Sequence, residues 1–195
     1  MNICPQSNKK IFVICKLLEC FMSRNPKKNS KPTIAMVQGA CIAGGLMLAW
    51  VCDLIVASDD AFFADPVLKM GIPGVEYFAH PFVMNPRIAK EFLYLGERMT
   101  AARAYEAGMV NRVIPRAELE ARTFEIANKL AAQPRFGIAL AKRAINQVED
   151  RMGLRDSIDA VYGLHHVAHA HNSLTSTDHL AGQDARSMAA AQRGK

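Results

Sequence analysis

Three groups of residues in this 195-residue chain have the types and spacing to do chemistry. The first is the run Gly39-Ala-Cys-Ile-Ala-Gly44-Gly45, which leads into the apolar segment Leu46 to Val51. Glycines ahead of a buried helix let a ligand approach the backbone. The helix start turns free N–H groups and the positive end of its dipole toward that ligand. Such a turn suits a phosphate or an oxyanion. It has neither the P-loop nor the dinucleotide glycine pattern, so a nucleotide is not the expected ligand. The same glycines also fit a tight bend packed on a neighbour, and spacing alone leaves both readings open.

The second group lies in the segment Asp65 to Pro86, which holds prolines at 66, 73, 81 and 86 and glycines at 71 and 74. It is too rich in proline for one continuous element and too apolar for a solvated linker, so a packed loop lining a site is expected. Asp65, Glu76, Tyr77 and His80 stand in it among apolar neighbours that could perturb their titration. A single carboxylate such as Asp65 or Glu76 could remove a proton from carbon and return it elsewhere. If the strand before it continues, alternation puts Asp65 on the same face as position 67. The competing readings are a turn cap for Asp65 and a solvated side chain for Glu76.

The third group is His165, His166, His169 and His171. His165 and His169 are four apart, a spacing that can share an ion on a helix face, but no third ligand is evident, so no metal site is expected. The five cysteines, at 4, 15, 20, 41 and 52, show no zinc or disulfide spacing. Those inside apolar runs, such as Cys52, read as small core residues of a reducing compartment, and a cytoplasmic location is expected.

Positioning these groups requires a regular fold. Residues 1–30 form a divergent segment with one apolar stretch, Ile11 to Met22, expected to be a short helix, followed by a Pro- and Lys-rich linker from Asn25 to Pro32. Residues 31–115 then read as short strands and glycine-rich turns around a buried helix: strands at Thr33 to Val37, Asp53 to Ala57 and Ala61 to Ala64, a helix at Leu46 to Val51, and a strand at Met109 to Ile114. Between them, Arg87 to Leu95 has helical spacing and stops at Gly96, and Thr100 is a good N-cap for Ala101 to Ala107. Residues 116–172 read as amphipathic helices at Ala117 to Ala132, Phe136 to Asp150 and Leu154 to Ala170, with a polar, Ala-rich tail at 173–195. The fold class is α/β.

Lys and Arg total 24 against 18 Asp and Glu, a net charge of +6 that suits an anionic ligand. The basic residues are scattered without an aromatic-and-basic stripe, which argues against nucleic acid. No apolar run reaches the length of a membrane span.

The order of motifs resembles the enoyl-CoA hydratase/isomerase (crotonase) family. The resemblance is carried by Lys31-Pro-Thr-Ile-Ala-Met-Val-Gln-Gly39 through Gly45, Leu48-Ala-Trp-Val-Cys-Asp53-Leu-Ile-Val-Ala-Ser58, Phe63-Ala-Asp-Pro66 and Met70-Gly-Ile-Pro-Gly74. Leu95-Gly-Glu-Arg-Met-Thr100, Ala107-Gly-Met-Val-Asn-Arg-Val-Ile-Pro115 and Ala141-Lys-Arg-Ala-Ile-Asn146 extend it, so that it covers roughly residues 31 to 170. It implies a ββα spiral, here truncated at the front, with a C-terminal helical region and assembly as a homotrimer or hexamer. It implies an acyl-CoA thioester as ligand, coenzyme A being part of the substrate and no further cofactor required. Gly44 aligns with the glycine whose N–H helps stabilise a thioester enolate, flanked by Ala43 and Gly45 as substrate-binding residues. Lys142, with Arg143 beside it, matches positions that reach a coenzyme A phosphate.

The pattern departs from the family at three places. The section that supplies the second oxyanion donor and much of the adenine pocket precedes the part matched from Lys31, and residues 1–30 do not resemble it. The two glutamates of hydratases are replaced by Met47 and Val67, neither of which can hold a proton. Glu76 falls one place past an acid of dienoyl-CoA isomerase-like members. Two readings follow: an acyl-CoA-binding hydratase/isomerase-like enzyme with Gly44, Asp65 and Glu76 as its catalytic residues, or an inactive homologue acting as an oligomerisation or interaction module.

Overall fold

The structure, a computed structural model, describes residues 30–176 together with Gly182, Asp184, Arg186 and Ser187. The expected helix at Ile11 to Met22 and most of the tail lie outside the described residues.

Among the described residues, six short strands form two three-stranded sheets. They are β1 (Ile34–Val37), β2 (Ala40–Ile42), β3 (Leu54–Ser58), β4 (Phe62–Ala64), β5 (Met99–Thr100) and β6 (Arg112–Ile114). The first sheet has the order β1-β3-β6, all parallel, and the second has β2-β4-β5, in which β4 and β5 are antiparallel. Each pass of the chain lays one strand in the first sheet, turns, and lays the next in the second. Helix α1 (Gly44–Trp50) closes the first pass. In the next, a 3-10 turn at Pro66–Met70 and helices α2 (His80–Val83) and α3 (Pro86–Leu95) follow β4. This is the expected ββα spiral.

Burial explains the spiral. In β1, alternate residues Ala35 and Val37 enter the main core with Leu46, Trp50, Ile55, Ala57 and Phe63, as a half-covered strand should. Strand β3 is central and is buried from Ile55 through Ser58, because both faces are covered. Its second face, at Val56, packs with Ile114, Leu119 and Ile126. The last two come from α5 (Leu119–Ala131), which follows α4 (Ala101–Glu106) and β6.

The sequence expectations hold in outline. Thr100 caps α4 through its hydroxyl, and Gly96 ends α3 in the left-handed region at φ 57°. Strand β2 was not expected, because three residues between glycines carry too little periodicity to declare a strand. Its pairing to β4 decides it, Cys41 lying opposite Phe63. The alternation proposed for Asp65 and Val67 fails: β4 ends at Ala64 and Val67 lies in the 3-10 turn. The last two helices, α6 (Arg135–Arg151) and α7 (Leu154–Thr175), run longer than their apolar spacing implied. Among the described residues no helix is long and apolar enough to cross a membrane.

Candidate active site

The glycine turn leaves β2 at Ile42 and enters α1 through Ala43, whose φ of 47° and ψ of −105° are strained for a residue with a side chain. Its N–H donates to the Ala64 carbonyl at 3.1 Å, and its own carbonyl accepts from Met47 N–H at 3.2 Å. The turn is thus anchored to β4 on one side and wound into the helix on the other. Gly44 is exposed, with no atom within 4 Å of where a Cβ would stand. Open space at the first residue of a helix is compatible with a ligand approaching the backbone. Met47 and Val67 are partly buried and packed on the main core.

Asp65 follows Ala64 directly and is fully buried. Its carboxylate accepts from Val75 N–H at 3.0 Å and from Val67 N–H at 3.4 Å, and it lies 2.9 Å from His80 Nε2. A carboxylate only accepts, so His80 donates from Nε2. His80 is itself fully buried, with Trp50 and Phe78 rings 4.7 and 4.5 Å away. The turn-cap reading therefore describes what Asp65 does here, and the carboxylate is enclosed by protein donors. Gly74, within this loop, cannot be replaced cheaply: at φ 153° a Cβ would stand 2.8 Å from the Phe78 ring.

The Asp65 bond to Val75 fixes the neighbour of Glu76. One unbroken path thus runs from the Ala43 turn through Ala64, Asp65 and Val75 to Glu76. Glu76 is exposed, its side chain 45% accessible, and its Oε1 lies 3.6 Å from His165 Nε2 of α7. His165 is buried and its Nε2 is 3.1 Å from His169 Nε2. Asn172, one turn further on, donates to the Met70 carbonyl at 2.9 Å, docking α7 across the loop. Residues 165, 169 and 172 are one helix face, and that spacing was the available signal for this docking. The sequence marked the two histidines but not their meeting with Glu76, which is 89 residues earlier. Among the described residues no three His, Cys, Asp or Glu side chains form a group that could hold a metal ion.

Tyr77 packs partly buried on the core, and burial first, then Glu149 and Asp150, push its phenol up to about 12. It remains a hydrogen-bond donor at neutral pH. Cys41, beneath Gly45, is pushed up to about 12 by burial and stays a thiol. Lys142 is engaged otherwise than the phosphate role expects: its ammonium donates to Asp53 at 2.7 Å and to the Lys31 carbonyl at 2.9 Å. Arg143 beside it is exposed.

Two interleaved sheets, a glycine turn heading a buried helix and a helix laid over the following loop define the crotonase class of fold. The chain belongs to the enoyl-CoA hydratase/isomerase family, whose sequence model matches residues 24–185. The match extends beyond the 31 to 170 expected. A crystal structure of a probable enoyl-CoA hydratase from Mycobacterium smegmatis superposes with a TM-score of 0.80 at 44% identity, covering 87% of this chain and 68% of that one. The "Putative enoyl-CoA hydratase EchA13" of Mycobacterium tuberculosis (strain ATCC 25618 / H37Rv) is 46% identical over 142 residues, 72% of this chain and 45% of that protein. The 4-chlorobenzoyl coenzyme A dehalogenase-1 of an Arthrobacter species is 37% identical over 119 residues, 60% of this chain and 43% of that protein. The chain spans a little under half the length of these curated relatives.

Proposed function

We propose that the chain binds an acyl-CoA thioester and stabilises its enolate at the Ala43–Gly45 turn, with Glu76 as the single acid–base group. The observation that carries this reading is the strained Ala43 at the mouth of α1, in a chain of the hydratase/isomerase family. Strain of this kind costs on the order of 1–3 kcal/mol and persists where the surroundings impose it, often at functional sites. In the proposed step, Glu76 removes a proton from the carbon next to the thioester. The C–H electron pair moves to the carbonyl oxygen, which Gly44 N–H receives, and the carboxylic acid returns the proton to the same or a conjugated carbon.

Hydration by two glutamates is not part of this reading, because Met47 and Val67 hold no proton. The dehalogenase among the relatives supports the view that this fold hosts other coenzyme A thioester chemistry. Coenzyme A enters with the substrate, and no separate cofactor is needed. Arg143 is the better placed cation for a phosphate, since Lys142 has other partners. Cytoplasmic location and a trimer or hexamer complete the proposal. One observation favours an assembly role as a second reading: α6 buries no residue, and Phe136 and Ile145 are 77% and 62% accessible.

Titration calorimetry with butyryl-CoA and with free coenzyme A, beside α-proton exchange in D₂O, tests the reading. Micromolar binding with exchange that Glu76→Gln abolishes is the expected result. No heat from a folded oligomer would leave the assembly role standing.

A further inference from the structure

Behind Glu76, buried His165 meets exposed His169, and neither has a role in the proton transfer itself. His165 Nε2 faces two groups, Glu76 Oε1 at 3.6 Å and His169 Nε2 at 3.1 Å, while His165 Nδ1 is buried with no partner. A carboxylate accepts only, so a favourable contact with Glu76 requires the proton on His165 Nε2. The orphan Nδ1 agrees: in this tautomer it is an unpaired acceptor, whereas the other tautomer would bury an unpaired N–H. His169 then accepts at Nε2 and carries its own proton on Nδ1. Tyr162 lies 6.4 Å from the His165 ring, stacked on the same helix, and Asn172 pins that helix to the loop.

We propose that His165 is the positioning residue for Glu76, and that His169 is the alternate acceptor that lets it release the carboxylate. The inference rests on Glu76 being the base. While Glu76 is ionised, the His165 Nε2–H is drawn toward Oε1 and aims the carboxylate at the thioester's α-carbon. When Glu76 takes the proton, the C–H pair having passed to the enolate oxygen, its charge is gone. The same N–H then turns wholly to His169. Return of the proton to carbon reverses the exchange. The attraction between His165 and Oε1, a contact of 3.6 Å, is strongest where the carboxylate needs orienting.

Two measurements on the full chain test this. Long-range ¹H–¹⁵N imidazole spectra should show His165 as the Nε2–H tautomer, with its resonances moved by Glu76→Gln and by His169→Ala. An Nδ1–H tautomer, or resonances indifferent to Glu76→Gln, would overturn the proposal even if the protein turned nothing over. In α-proton exchange of butyryl-CoA, His165→Ala should lower kcat by roughly 10²-fold, the loss typical of misplacement, with KM little changed. His165→Gln, which keeps an N–H donor, should recover most of that loss. Equal losses in both variants would show a merely structural histidine. Unchanged exchange in Glu76→Gln would instead remove Glu76 as the base, a failure of the earlier reading that the His165 spectrum distinguishes.

Discussion

The loop from Asp65 to His80 takes part in two carboxylate–histidine pairs with opposite surroundings. Asp65 and His80 are both fully buried, and the carboxylate takes two backbone N–H groups besides the imidazole. Glu76 is 45% accessible and meets His165 at 3.6 Å, with a second histidine behind. The same two side-chain types therefore do different work. A dry carboxylate whose acceptor sites are filled holds a loop in place, and placing a proton on it would unpair buried donors. A half-exposed carboxylate with one long contact to a histidine is held far less tightly. The buried pair fixes the backbone on which the open one stands.

Exchanging the damage between the pairs breaks or sharpens this contrast. Glu76→Gln should lower α-proton exchange by roughly 10²–10⁴-fold, the usual worth of a positioned acid–base group, while the urea midpoint stays within error. Asp65→Ala should do the reverse, costing roughly 3–5 kcal/mol in urea unfolding because His80 and Val75 lose a buried partner. If Asp65→Ala folds with full stability and loses only turnover, the division of labour is inverted. Leu46→Ala, at a fully buried position in α1, should cost roughly 2–5 kcal/mol, showing how much of the turn's rigidity comes from the core beneath it.

The alkaline limb follows from Cys41 and Tyr77, both held up to about 12 by burial. The native state keeps protons that the unfolded chain releases above about 9 for the thiol and about 10 for the phenol. Stability is therefore complete below those values and falls as pH rises toward 12, by up to about 1.4 kcal/mol per pH unit for each group. Urea midpoints between pH 8 and 11 should show this slope, and Cys41→Ala with Tyr77→Phe should flatten it. The smallest effect belongs to Lys142→Ala, about 1 kcal/mol for a partly exposed ion pair with Asp53. Its coenzyme A affinity should be unchanged, whereas Arg143→Ala should weaken binding. The opposite result would return Lys142 to the phosphate site.

Much of the site could be read locally. The Gly39–Gly45 run was recognisable because glycine before an apolar stretch is a short-range pattern, and the Pro-rich loop was recognisable from composition. Thr100 and Gly96 announced their helix ends through side-chain and backbone properties of single residues. Strand β2 was not legible, since a three-residue strand has no period until β4 pairs with it. The role of Asp65 was legible only as an alternative, because a turn cap and a catalytic acid have the same residue type. The Lys142–Asp53 pairing was not legible for a similar reason: the two residues are 89 apart in the chain.

The amino-acid sequence by itself determined the order of the longer strands and helices, the glycine turn at Gly44, the absence of glutamate at 47 and 67, and the family. These follow from residue type and near-neighbour spacing, which every conformation of the chain retains. Tertiary structure alone decided which carboxylate is enclosed and which is open, that Ala43 is strained, and that α7 brings His165 and His169 to Glu76. Those are consequences of distance and burial between segments far apart in the chain, and neither quantity exists before the sheets close and the last helix docks.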